Sequence, residues 1–295
     1  MPEVEHVLTV RNELGEGPIW DHREGRLRWV DIERSRLYGY DPVSLRWTVV
    51  VTPVSFTALG LHAAGGFVVA GADGFGRWHD ESEAFMPIVD PMEAVPDSRF
   101  NDGAVDPGGR FWAGTMNTAN PDAPQNGLYR LHEDGRCDHV LSGITISNGI
   151  DWTPDGRTMY YTATERGTIT AYDFDARSGR IAEPRVFARI DETEGAPDGL
   201  CVDAEGHVWS ALWGGSKLIR FAPSGERAAE YALPATQVTS CAFGGRDLDE
   251  LYVTTARSGL DEDALEAQPL AGDLFRIRPG VRGQRVHAFV AGEAG

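Results

Sequence analysis

The stretch Gly103-Ala104-Val105-Asp106-Pro107-Gly108-Gly109-Arg110-Phe111-Trp112-Ala113-Gly114 reads as an apolar strand, an Asp-Pro-Gly-Gly turn and a second, aromatic-rich strand. The same order recurs from Gly17 (Gly-Pro-Ile-Trp-Asp-His-Arg-Glu-Gly-Arg-Leu-Arg-Trp-Val-Asp), from Gly149 and from Gly199. A third strand follows each pair, as in Arg36-Leu37-Tyr38-Gly39-Tyr40 or Lys217-Leu218-Ile219-Arg220-Phe221, and then a weaker fourth, such as Arg46-Trp47-Thr48-Val49-Val50. Anchored on the first turn, the equivalent positions are Asp21, His62, Asp106, Thr153, Asp203 and Gly244, spaced 41 to 50 residues apart. That period is the length of a four-stranded propeller blade. Copies two (Leu59 to Ala70) and six (Ser240 to Thr254) are degenerate but keep the register. The expected fold is therefore all-β: a six-bladed β-propeller with four antiparallel strands per blade, one domain over residues 1–295. The strand-like segment Val4 to Val10 is expected to pair into the last blade beside the C-terminal strands, closing the ring and removing an exposed edge. A helical reading fails because 35 glycines and 17 prolines punctuate every apolar run.

A chain of 295 residues with 41% hydrophobic content can bury a large core. Its formal net charge of −18 argues against nucleic acid, whose phosphates select basic patches, and is compatible with attraction for cations. Three widely spaced cysteines, Cys137, Cys201 and Cys241, form no CxxC pattern, so neither a disulfide framework nor a sulfur-ligated zinc site is expected. The start Met-Pro-Glu-Val-Glu-His lacks the features of a signal peptide, and no apolar run spans a bilayer. The expectation is a cytoplasmic protein that binds neither membrane nor nucleic acid.

Five positions ahead of each first turn stands a polar residue: Glu16, Thr57, Asn101, Asn148, Asp198 and Thr239. Side chains alternate along a strand, so a shared offset from the turn means a shared direction. In a propeller the first strand is innermost, and these six residues would ring one mouth of the central channel. Glu16 and Asp198 supply charge and Asn148 a neutral carbonyl, an oxygen-only set suited to one hard divalent cation such as Ca²⁺, Mg²⁺, Mn²⁺ or a loosely held Zn²⁺. Asx-Gly and Glu-Gly pairs are also ordinary turn residues. The same offset in four blades favours the site. Elsewhere, His22, His79, His132 and His207 fall near turns and are expected to face solvent, no His-Glu-x-x-His or Gly-x-Ser-x-Gly motif appears, and Trp213 ends a second strand where it could wall a pocket.

These motifs together resemble the senescence marker protein-30 (regucalcin)/gluconolactonase family of six-bladed propellers with one catalytic metal. The residues that carry the resemblance are Gly15-Glu16-Gly17-Pro18-Ile19-Trp20, Arg99-Phe100-Asn101-Asp102-Gly103, Ala113-Gly114-Thr115-Met116, Ser147-Asn148-Gly149, Pro197-Asp198-Gly199-Leu200 and Ala211-Leu212-Trp213-Gly214-Gly215. It spans essentially residues 5 to 290. The resemblance implies that Glu16, Asn148 and Asp198 hold the metal, that Arg99 and Asn101 contact a sugar-derived substrate, and that the reaction is hydrolysis of aldonolactones such as glucono-, xylono- or arabinonolactone. One departure concerns the acidic substrate contact that some members carry after the Gly-Thr-Met segment. Here Asn117-Thr118-Ala119-Asn120-Pro121-Asp122 follows, with Asn117 as a substitute hydrogen-bonding group.

The mechanism expected on this basis is metal-assisted attack of water on the lactone carbonyl, with Asp198 as general base and Arg99, Asn101 and Asn117 binding the substrate. A carboxylate beside a bound cation is expected to stay ionised. Two alternatives share the site: a hydrolase for another ester or an organophosphate, and a non-catalytic propeller that binds calcium or a partner.

Overall fold

In the computed structural model, which describes residues 3–117, 119, 120, 123 and 125–290, the turn chemistry behind the repeat is explicit. The Asp106 carboxylate accepts from the backbone amides of Gly108 (2.7 Å) and Arg110 (3.0 Å) and from Trp112 Nε1 (2.8 Å). Asp203 does the same for Glu205, His207 and Trp209. One buried aspartate thus closes the hairpin and anchors the indole that begins the blade core.

Six sheets result, each with four antiparallel blade strands; in blades 1 to 5 these run in sequence order from the axis outwards, and in blade 6 the N-terminal strand takes the outermost place. The innermost strands are Gly15–Asp21, Phe56–His62, Arg99–Val105, Ser147–Trp152, Ala196–Val202 and Val238–Gly244, in blades 1 to 6. Each packs against the innermost strands of both neighbours, and the last packs on the first, which closes a six-membered ring. Hydrophobic side chains fill the spaces between blades. Trp112, Trp152 and Met159 pack between blades 3 and 4, and Trp209, Phe243 and Leu251 between blades 5 and 6. Each fully buried side chain of this size contributes about 1.5–3 kcal/mol.

The ring closes as expected. Strand Val4–Leu8 pairs antiparallel with Leu274–Ile277 as the outermost strand of blade 6, with Val4 opposite Ile277. Arg276 binds Glu5 and Glu250, tying this N-terminal strand to its blade.

A second closure lies at the opposite end of the chain. Residues 281–290 run across the turn end of the channel. Gly283 N donates to Leu248 O (2.7 Å), Ala204 N to Arg282 O (2.8 Å), Gln284 Nε2 to Trp152 O (2.7 Å) and Val290 N to Gly109 O (3.1 Å). Ala288–Phe289 adds a parallel strand to the inner strand of blade 2. The strap touches blades 2 to 6 and lines that end of the channel.

All three cysteines are free, with Cys201 and Cys241 on neighbouring inner strands. Of the four histidines expected at the surface, only His22 is exposed. His132 is drawn into a network with Arg130 and Asp138, and His79 and His207 are half-buried. No helix among the described residues is long and apolar enough to cross a membrane.

Candidate functional site

Every inner strand carries one extra residue at the level of its polar axial residue. In blade 1, Glu16 faces Val30 and Ile19 faces Arg28, so three steps on the inner strand match two on its partner. In blade 4, Asn148 faces Thr162 and Ile150 faces Tyr161, two steps against one. The other four blades show the same shift at Phe56/Ala58, Phe100/Gly103, Pro197/Leu200 and Val238/Ser240. Bulges bend a strand and redirect its side chains. Six at one level form a polar collar around the axis.

Glu16, Asn148 and Asp198 are 7%, 5% and 4% exposed. Glu16 Oε2 accepts from Gly17 N (3.0 Å), and the Asn148 amide and Gly199 N lie beside the Asp198 carboxyl and favour its charged form. Asn148 Nδ2 also donates to Thr164 Oγ1 at 3.2 Å. Its Oδ1 is buried and has no partner. A buried carbonyl oxygen without a donor is costly to leave unpaired, by about 1–3 kcal/mol.

Electrostatics point the same way. Burial and the neighbouring Asp102 push the Glu16 carboxyl up to about 8. Burial, then Glu16 and Asp102, raise Asp198 well above the usual carboxylate range. Asp102 itself rises to about 6 through burial, although Gly103 N donates to it at 2.7 Å. The expectation that these carboxylates stay ionised concerned a site holding a cation. Without such a field their enclosure and mutual repulsion favour protonation. Arg99 is the cation that opposes the Glu16 charge, and burial lowers the pKa of its guanidinium against the pull of Glu33 and Glu16.

Asp102 did not emerge as a site residue from the sequence. Strict alternation turns a residue next to Asn101 away from the axis. The bulge between Phe100 and Gly103 breaks that alternation, and Asp102 lines the channel. The signal was the acidic residue inside Asn101-Asp102-Gly103, unreadable without the bulge.

The remaining axial residues divide. Asn101 and Arg99 form one unit: Arg99 Nη1 donates to Asn101 Oδ1 (2.7 Å), and Asn101 Nδ2 donates to Ser147 O (2.9 Å). Arg99 Nη2 also reaches Met116 Sδ at 3.4 Å. The two threonines turn their hydroxyls to the backbone, Thr57 to Ala70 O (3.2 Å) and Thr239 to Gly15 O (2.5 Å). Asn117 is buried and tethered. It is 1% exposed, its Nδ2 donates to Pro96 O (3.2 Å), and its Oδ1 accepts from Asn120 N (2.8 Å). One amide end holds its own segment, and the other ties that segment to Pro96 in the connection before strand Arg99–Val105. Thr118, Pro121 and Asp122 of that segment lie outside the described residues. Trp213 is half-buried and lines a groove of about 840 Å³ with Thr164, Arg189 and Ala196.

The donor set fits a hard divalent cation: two buried carboxylates, a partnerless amide oxygen and a third carboxylate nearby. One other cluster, Asp203, Glu205 and His207, brings its ligand-type atoms within 4.8 Å of one another at a turn. There Arg220 Nη2 donates to Asp203 (2.7 Å) and Glu205 (2.8 Å), and Trp209 also donates to Asp203, so those carboxylates already have a cation. The axial collar lacks that compensation and is the stronger candidate.

Residues 14–257 match the family model described as SMP-30/Gluconolactonase/LRE-like region. The chain belongs to this family. Among relatives of this SMP-30/gluconolactonase-like protein, regucalcin of Xenopus laevis is 36% identical over 295 residues, covering 97% of this chain and 98% of the relative. A candidate sugar lactone lactonase of Bacillus subtilis (strain 168), YvrE, is 38% identical over 263 residues, 89% of this chain and 90% of the relative. The crystal structure of a calcium-binding protein, regucalcin, from Agrobacterium tumefaciens superposes with a TM-score of 0.92 at 30% identity, covering 98% of this chain and 97% of that one. Family membership thus supports sugar lactone hydrolysis at the level of the class.

Proposed function

We propose that the protein hydrolyses a sugar lactone to its aldonic acid at the axial mouth, with one divalent cation held by Glu16, Asn148 and Asp198. The observation that carries this reading is the partnerless, buried Asn148 Oδ1 beside two carboxylates whose charge nothing nearby fully balances. When bound, the cation supplies Lewis-acid polarisation of the lactone carbonyl and favours ionised ligands. The calcium-binding relative supports a divalent ion without choosing the element.

The chain's own groups supply the rest. Asp198 would accept the proton of the attacking water, a general-base role. The Asn148 amide beside it favours the charged form of Asp198. Arg99 is braced by Asn101 Oδ1 and by Phe100 O (2.9 Å), which fixes its guanidinium for donation to ring and hydroxyl oxygens of the sugar. Asn101 presents its amide at the same wall, and Asp102 adds negative charge behind it. Asn117 shapes the loop beside Met116 rather than touching substrate. The whole chain acts as one domain in the cytoplasm.

The test follows acid release from a panel of aldonolactones beside an organophosphate substrate, for the wild type and Asp198→Asn. Lactone hydrolysis that Asp198→Asn abolishes supports the proposal. Turnover of the organophosphate alone transfers the site to the other hydrolase class, and full lactone turnover by Asp198→Asn rules out the base.

A further inference from the structure

The Asn148 side chain is decisive for the site and yet chemically two-faced: one end is a metal ligand and the other repels a cation. A group outside the collar determines which end faces the axis. Thr164 follows the second strand of blade 4 (Thr158–Ala163) and opens a single 3₁₀ turn, Thr164–Arg166. The residue at the N-cap of that turn is Ala163, and the Thr164 hydroxyl points to another blade. Thr164 Oγ1 lies 2.8 Å from Pro197 O and 3.2 Å from the Asn148 amide nitrogen.

The Pro197 carbonyl has no hydrogen, so the hydroxyl must donate to it. Thr164 Oγ1 is then left with lone pairs for Asn148, and only an NH₂ group can satisfy them. An amide assignment follows from its network of partners, and this network permits one orientation. The same amide lies beside the Asp198 carboxyl and favours its charged form. Oδ1 is left facing away from both, buried and partnerless. Thr164 also links the two strands that carry the ligands, since Pro197 immediately precedes Asp198. The repeat does not demand a hydroxyl here. The residues that follow the second strand in blades 1, 2, 3, 5 and 6 are Ile32, Ala72, Asn117, Gly214 and Ala256.

We propose that Thr164 is a positioning residue whose hydroxyl turns the Asn148 amide oxygen toward the cation and ties blade 4 to the Asp198 strand. This rests on the metal site proposed above. Partners of this kind, one step behind a ligand, typically change metal affinity by about 10- to 100-fold.

The experiment titrates Ca²⁺ into chelator-stripped protein by calorimetry for the wild type, Thr164→Val and Thr164→Ser, with the metal-free thermal midpoint of each recorded alongside. Val keeps the shape and removes the hydroxyl, and Ser restores it. Thr164→Val is expected to weaken Ca²⁺ binding by about tenfold or more, with Thr164→Ser within about threefold of the wild type. The same Thr164→Val change in an Asn148→Asp background, where no amide needs orienting and only the tie to Pro197 O is lost, should alter affinity by at least about threefold less than in the wild-type background. The midpoints separate lost orientation from lost stability, and the Asn148→Asp pair decides the matter if Thr164→Val alone folds poorly. Equal Ca²⁺ affinity in Thr164→Val and the wild type overturns the inference and leaves the lactonase reading standing. So does a Thr164→Ser variant as weak as Thr164→Val. A wild type that binds no Ca²⁺, Mn²⁺, Mg²⁺ or Zn²⁺ overturns both.

Discussion

Glu16, Asp102 and Asp198 concentrate more negative charge at the axis than Arg99 offsets, and this governs how single residues respond to pH. Their folded-state pKa values lie above the ordinary carboxylate range, at about 8 for Glu16 and about 6 for Asp102, and in the same direction for Asp198. The metal-free fold therefore keeps protons that the unfolded chain releases near pH ~4. Stability from this source is full below that pH and is lost as pH rises through the folded values. The thermal midpoint of chelator-treated protein should fall from about pH 5 to about pH 8, and the rise produced by Ca²⁺ should grow over the same interval. A flat profile would show that the three carboxylates are not coupled to folding. In metal-loaded protein, Asp198→Asn should lower kcat by about 10²- to 10⁴-fold, the range of a lost general base. Arg99→Lys should raise KM for the lactone by losing the planar fork. At this scale the sequence was legible for placement where chemistry and register coincide, since Glu16, Asn148 and Asp198 all lie buried at the axis. It was silent where a bulge redirects a side chain, as at Asp102, and it gave no sign that the Asn117 amide ties its segment to Pro96.

The collar is a property of strands before it is a property of residues. Each inner strand bulges at its axial residue, and the glycine after Asn148 or Asp198 lets the next blade approach. A Cβ on Gly149 would lie 2.5 Å from Leu200 N and 2.8 Å from Asp198 O, and one on Gly199 would lie 2.2 Å from Ser240 Oγ. The glycines therefore set the distance between ligand-bearing strands. Gly149→Ala is expected to destabilise the protein by about 1–3 kcal/mol in denaturant unfolding, through overpacking, and to weaken Ca²⁺ binding by displacing the Asp198 strand. Unchanged affinity would mean that the strands tolerate wider spacing. The strands themselves were readable because turn aspartates, aromatic second strands and period-two alternation agree. Bulges leave no such mark, since one inserted residue alters neither composition nor turn chemistry.

Two chain ends hold the ring as a whole. The N-terminal strand completes blade 6, a closure visible in the apolar run from Val4. The C-terminal strap was not visible, because it makes a few scattered backbone contacts and only a two-residue strand, which gives no periodicity. Phe289 is its anchor, buried at 2% exposure against the blade 2 and blade 3 core. Phe289→Ala should cost about 3–5 kcal/mol in global unfolding. A change below about 1 kcal/mol would show that the strap is dispensable. The most direct measurement on the molecule as a whole removes metal with a chelator, confirms its loss by elemental analysis, and then follows acid release from an aldonolactone as Ca²⁺, Mg²⁺, Mn²⁺ and Zn²⁺ are added back singly. Activity should vanish on stripping and return with at least one cation at one ion per chain. Undiminished lactone hydrolysis by metal-free protein would contradict a metal-dependent site at Glu16, Asn148 and Asp198.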